Sequence, residues 1–164
     1  MVYLEAMTIS GQTTVMGVDP GSVSAAFALI PWDLDGGVDA ASAFHMPVAN
    51  KMVDGRAFAY IVAERNPTHA VIERVSAFPG QGVSSSFRFG MGYGIIMGVL
   101  LASGVKIIDV APGMWKKHFR LDSDKEKARA LAIKLFPNVN LRLKLDAGRA
   151  EALLMALWLR ETAR

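Results

Sequence analysis

The 164-residue chain has no cysteine. That absence excludes disulfides, cysteine-based zinc sites and thiol nucleophiles, and it suits a reducing cytoplasm. The opening segment, MVYLEAMTISGQ, has neither a basic n-region nor a long apolar run, so no signal peptide is expected. Residues 1–12 read as a flexible N-terminal arm, and 13–164 as one domain. The longest uncharged stretch, Phe89 to Val105, is glycine-rich and falls short of a bilayer span, so no membrane association is expected. Disorder is excluded by a hydrophobic content of 52%.

The net charge of +3 hides an asymmetry. Residues 1–87 carry a balance of −4 and residues 88–164 one of +7. A basic half is compatible with an anionic partner such as nucleic acid, or simply with a solvated helical surface.

Periodicity and turn residues give the element order βββ-α-β-α-β-α-α-α. TTVMGVDPG is a strand ending in a turn; VSAAFALIPW and ASAFHMPV follow as a second and third strand. VDGRAFAYIVAERNP has helical spacing and stops at Pro67. THAVIERV is a buried-type strand, followed by the loop SAFPGQGVSSS and a long helix from about Phe87 to Ser103. VKIIDVAP is a fifth strand, and three helices close the chain. A meander followed by β/α units predicts a five-stranded mixed sheet flanked by helices.

Four carboxylates stand at element ends. Asp19 closes the first strand, where it either shapes the Asp-Pro-Gly turn or serves as a ligand. Glu73 sits in an otherwise buried strand, and buried carboxylates are rare unless paired or metal-bound; the alternative is a wet sheet edge. Asp146 and Glu151 begin the last helix. If both were helical they would lie about 140° apart, so Asp146 reads as the residue just before the helix and Glu151 as part of its first turn. Each has a plain alternative, an N-cap for Asp146 and a dipole contact for Glu151. Together the four offer the hard oxygen donors that Mg²⁺ prefers, and a pair of such ions can clamp both oxygens of a phosphodiester displacement.

MGVDPGS, AVIERV and DAGRAEALL, in this order, resemble the three acidic motifs of RuvC-type Holliday junction resolvases, within the RNase H-like superfamily. The likeness runs from about Val15 to Trp158, and SFRFGMGYGIIMGVL, VAPGMWKKHF and DKEKARALAIKLFP resemble the phage and prophage branch. The resemblance implies an RNase H-like fold and a metal-dependent endodeoxyribonuclease that resolves Holliday junctions or other branched DNA as a homodimer. It implies two Mg²⁺ ions per active site, with Mn²⁺ substituting, and products bearing 5′-phosphate and 3′-hydroxyl ends. Asp19, Glu73, Asp146 and Glu151 match the catalytic, metal-holding acids. The departure is Gly148, where bacterial members commonly carry Asp or His; Ala147 likewise stands where a His often follows the Asp. A basic group near the metals would then come from elsewhere, with Lys144 as a candidate. A related nuclease acting on RNA or replication intermediates, and an inactive branched-DNA binder, remain as alternatives.

Residues 116–144 hold nine Lys or Arg against three acids. Lys116, Lys117, Arg120, Arg142 and Lys144 are candidate phosphate contacts, whereas Lys125, Lys127, Arg129 and Lys134 read as the wet face of their helix. Arg149 either contacts DNA or braces a neighbouring carboxylate. Phe78, in the loop after Glu73, either wedges between bases or packs on the core; the resemblance favours the wedge. Gly90, Gly94 and Gly98 recur on one helix face, which predicts close backbone approach, to a second subunit or within the same one.

Overall fold

The computed structural model describes residues 14–21, 25–32, 38–76, 80 and 82–163. The expected N-terminal arm and Phe78 lie outside the described residues.

Strands β1 (Thr14–Asp19), β2 (Ala26–Pro31) and β3 (Ser42–His45) form the expected antiparallel meander. A hairpin that the sequence reading missed comes next, β4 (Val48–Ala49) and β5 (Met52–Val53). Its turn residues Asn50 and Lys51 have φ of 51° and 62°. Such turns usually announce themselves as Asn-Gly or Asp-Gly; Asn-Lys does not. Helix α1 (Gly55–Arg65) is capped by Asp54, whose carboxylate accepts from the Ala57 N–H at 3.0 Å. Then come β6 (His69–Glu73), α2 (Val83–Ala102) and β7 (Lys106–Val110). Helix α3 (Pro112–His118) carries Pro at its start. Helix α4 (Lys125–Leu135) is capped by Asp124, and α5 (Ala147–Thr162) ends the fold.

The main sheet has the order β3-β2-β1-β6-β7, with β6 and β7 parallel to β1. The predicted five-stranded mixed sheet is therefore present. Side-chain alternation sends Val15, Gly17 and Asp19 to one face and Met16 and Val18 to the other. The first face packs on α5, with Trp115 of α3 and Ala128, Ala132 and Phe136 around α4 in the same core. The second packs on α1 and α2 through Phe58, Val62, Ile96 and Leu100. Helix α5 lies almost flat on β1, and Gly17 makes this possible. A Cβ there would sit 1.9 Å from the Ala152 carbonyl oxygen.

Helix α2 begins four residues earlier than expected, because Val83 to Ser86 already form its first turn. At 20 residues and a mean hydropathy of 1.3, it is long and apolar enough to cross a membrane, which corrects the shorter estimate from uncharged length. Its Ile96 and Leu100 are buried inside the protein, and its other residues are half-buried or exposed.

Candidate active site

The β1–β6 register pairs Val18 with Ile72. One step further places Asp19 beside Glu73, at the carboxyl ends of adjacent parallel strands and on the α5 face. Glu151, in the first turns of α5, faces them.

Asp19 is buried. Its Oδ1 accepts from the Gly21 N–H at 3.0 Å, the turn contact expected of Asp before Pro-Gly, while Oδ2 is buried with no partner among the described residues. The turn contact thus engages one oxygen and leaves the other without a partner among the described residues, so the turn-shaping and ligand readings do not exclude each other. Burial first, then the charges of Glu151 and Glu73, push this carboxyl from 3.8 to about 7, against the pull of Lys125 and the Gly21 N–H. Glu73 is half-buried and accepts from the Trp115 indole N–H at 3.0 Å. Burial raises its pKa, with Glu151 adding to the effect and the indole opposing it. Arg74 points to the other face and pairs with Asp109 at 3.0 Å, so it does not neutralise Glu73.

Glu151 is buried and lies between two ammonium groups. Lys116 Nζ stands 3.1 Å from Oε1 and Lys125 Nζ 3.3 Å from Oε2. The Lys116 contact is an ion pair without hydrogen-bond alignment, since Oε1 has no directed donor. Burial disfavours the Lys125 cation, yet Glu151, Asp19 and Glu73 together hold its pKa above the usual lysine value. Lys125 therefore belongs to the site. Helical spacing put it on the wet face of α4, but its long side chain reaches over to α5.

Asp146 forms a separate cluster. It sits in a 3₁₀ turn, Lys144–Asp146, and makes no side-chain cap to α5. Its Oδ2 accepts from the Leu143 N–H at 2.9 Å and its Oδ1 from Arg149 Nη1 at 2.8 Å. His45 Nε2 of β3 lies 3.5 Å from the same Oδ1. Burial works against this charge, but the Leu143 N–H, Arg149 and His45 outweigh it and hold the pKa below the ordinary carboxylate value. Arg149 also donates to the Ala43 carbonyl at 3.0 Å. It has the bracing role, one of the two offered by the sequence. His45 was not singled out in the sequence, and no local signal marks it; strand pairing alone brings it beside Asp146.

Of the other candidates, Lys117 and Arg120 are exposed and share a shallow cleft with Pro112, Gly113 and Asp122. Arg142 and Lys144 are exposed on the connector before α5. That connector is pinned by Arg129, which donates to the Leu141 and Arg142 carbonyls at 3.0 and 3.2 Å. Gly90, Gly94 and Gly98 face open space, with nothing within 4 Å of a built Cβ. Close packing within the subunit, one reading of these glycines, is thereby overturned.

Among the described residues no group of three or more His, Asp or Glu side chains could hold a metal ion as it stands. The donor set nonetheless fits a hard divalent cation: three carboxylates, two of them raised in pKa by burial and by the charge of Glu151, and a buried Asp19 oxygen with no partner among the described residues. The two lysine ammoniums supply the positive charge that this cluster demands.

No family model matches the chain, and no curated protein matches it in sequence. Its shape does match solved structures. Thermus thermophilus RuvC superposes with a TM-score of 0.62 at 14% identity, over 89% of this chain and 92% of that one. The same protein in complex with a Holliday junction substrate gives 0.67 at 11% identity, over 91% and 95%. The Fowlpox virus resolvase, in complex with Holliday junction DNA, gives 0.57 at 15% identity, over 92% and 98%. The chain has the RNase H-like fold of the RuvC-type resolvases.

Proposed function

We propose that this protein is a Mg²⁺-dependent endonuclease that cuts four-way or other branched DNA. The observation that carries the reading is the convergence of Asp19, Glu73 and Glu151, each from a different element, around a buried and unpartnered carboxylate oxygen. A fold needs no such cluster; it costs stability and is kept for chemistry. Similar structures hold Holliday junction DNA, which supports the substrate class.

Asp19, Glu73 and Glu151 are the residues that would hold the ions, two per site in this proposal. When bound, divalent ions supply charge neutralisation at the phosphodiester and a water acidic enough to attack it. Lys116 and Lys125, now paired with Glu151, would be free to face the DNA phosphate once cations neutralise that carboxylate. Asp146 would complete the metal-holding set only by giving up its bonds to Arg149 and the Leu143 N–H. The Trp115 indole orients Glu73. Trp115→Phe keeps an aromatic side chain at that position and removes the donor; it is expected to weaken Mg²⁺ binding about tenfold, read by isothermal titration. An unchanged affinity would remove Trp115 from the site.

The dimer is part of the same proposal. Val83, Phe87, Met91 and Leu101 are exposed on the stripe of α2 that carries the three open glycines. Exposed apolar faces of this kind mark contact surfaces. Gly94→Glu should yield a monomer by light scattering with no loss in melting temperature, since Gly costs about 1 kcal/mol in a helix interior. A variant that stays dimeric would rule out this face.

The deciding experiment is incubation of one fixed and one mobile four-way junction with Mg²⁺, with each strand mapped separately. Paired symmetric nicks bearing 5′-phosphates are expected. Junction binding with no cutting in Mg²⁺ or Mn²⁺ would replace the nuclease by a binding protein.

A further inference from the structure

Beside the carboxylates lies a cleft of about 600 Å³ that none of the residues discussed so far explains. It is bounded by the exit of β1 at Pro20 and Gly21, by the β4–β5 hairpin, by the start of α2 and by Leu145. It therefore adjoins the residues that follow Asp19 and precede Asp146. Its volume is in the range of sites that take one small molecule.

The lining divides by chemistry. Met46, Met52, Val53 and Phe89 are apolar, and Met46 is buried. His45, Lys51 and Arg88 are basic, and among the described residues no carboxylate lines the cleft. In a molecule whose catalytic end is crowded with acids, this one-signed lining selects an anion with an apolar, flat part.

Lys51 carries a second signal. Its φ of 62° places it in the left-handed region, after Asn50 at 51°. Glycine adopts that conformation freely, whereas a side chain there costs about 1–2 kcal/mol. A lysine at this position opposes the needs of the turn, as residues in unfavourable backbone states at functional sites do. It puts a second cation on the lining that also carries Arg88 of α2.

We infer that this cleft takes one unpaired nucleotide of the bound DNA strand, its base against Met46, Met52 and Phe89 and its phosphate between Lys51 and Arg88. The inference rests on the branched-DNA reading above. It adds a reason for structure selectivity: a base inside a duplex cannot enter, while one at a branch point can. Stacking on apolar and aromatic groups makes the site tolerant of base identity.

The test is an abasic scan. A single abasic residue is moved one position at a time along the strand through a four-way junction, and binding by the Asp19→Asn protein is measured. One position is expected to bind about tenfold more weakly than its neighbours. Met52→Ala should flatten that dip. Lys51→Gly should lower the slope of log affinity against log salt by about 1 and leave the melting temperature equal or higher. A flat scan with tight junction binding, or an unchanged salt slope in Lys51→Gly, overturns the inference and leaves the nuclease reading standing. Failure of the wild-type chain to bind any junction overturns both.

Discussion

Asp19→Asn is expected to abolish cutting and, in the absence of metal, to make the protein more stable. The two effects have one cause. The Asp19 carboxyl is buried among other acids, and its pKa rises from 3.8 to about 7 in the folded chain. Folding thus favours the protonated form. Below pH 3.8 the group is neutral in both states and costs nothing. Between pH 3.8 and about 7 the unfolded chain sheds this proton while the folded one keeps it, so stability falls progressively, by an amount on the order of 4 kcal/mol once the folded carboxyl is also ionised. Metal-free wild-type protein should therefore melt at a lower temperature at pH 8 than at pH 5, and Asp19→Asn should lose most of that difference. Its amide still accepts from Gly21, so the turn is kept. Under the proposed mechanism the same change removes a charge that holds the cation, and cutting should fall at least about a thousandfold. Melting curves in chelator at the two pH values, set beside junction cleavage at pH 8, check both. A variant that cuts normally would sink the metal site; one that melts like wild type at pH 8 would sink the electrostatic account.

Gly17→Ala carries the largest structural effect. The added Cβ would lie 1.9 Å from the Ala152 carbonyl oxygen and 3.0 Å from the Ala156 nitrogen. Both are backbone atoms, so no side chain can swing aside. Either α5 lifts from the sheet or β1 buckles, at a cost of about 3 kcal/mol. Ala152 follows Glu151 directly, so any lift of α5 also moves a carboxylate away from Asp19 and Glu73. Urea unfolding should show the loss, and junction cutting should fall even where the variant is folded. A midpoint matching wild type would mean that the helix has slack the geometry does not show.

The sequence made the sheet legible because its signals there are local. Short β-branched runs ending in Asp-Pro-Gly or bounded by glycine define β1 to β3, and Pro67 and Gly104 punctuate the β/α units. Asp19, Glu73 and Glu151 could be picked out because acids are out of place where they stand. What stayed hidden depends on how elements cross. Lys125 has the spacing of a solvent-facing residue on α4, yet the packing of α4 against α5 lets it reach Glu151. His45 meets Asp146 only because β3 lies at the sheet edge under α5. The β4–β5 hairpin escaped notice because its turn uses lysine where glycine is the usual sign.

The burial of α5 bears on how the protein is made. Thirteen of its sixteen residues are buried, so it is the keystone of one whole face of the sheet. It also brings Glu151, and it comes after every strand in the chain. During synthesis the β-sheet would emerge with that face bare and the carboxylate cluster incomplete. Under the proposed function, a nascent chain could not cut DNA before α5 has docked and brought Glu151 to Asp19 and Glu73. The same order exposes Val15, Ile30 and Val71 until α5 docks, so the interval before docking is when the chain is most open to aggregation.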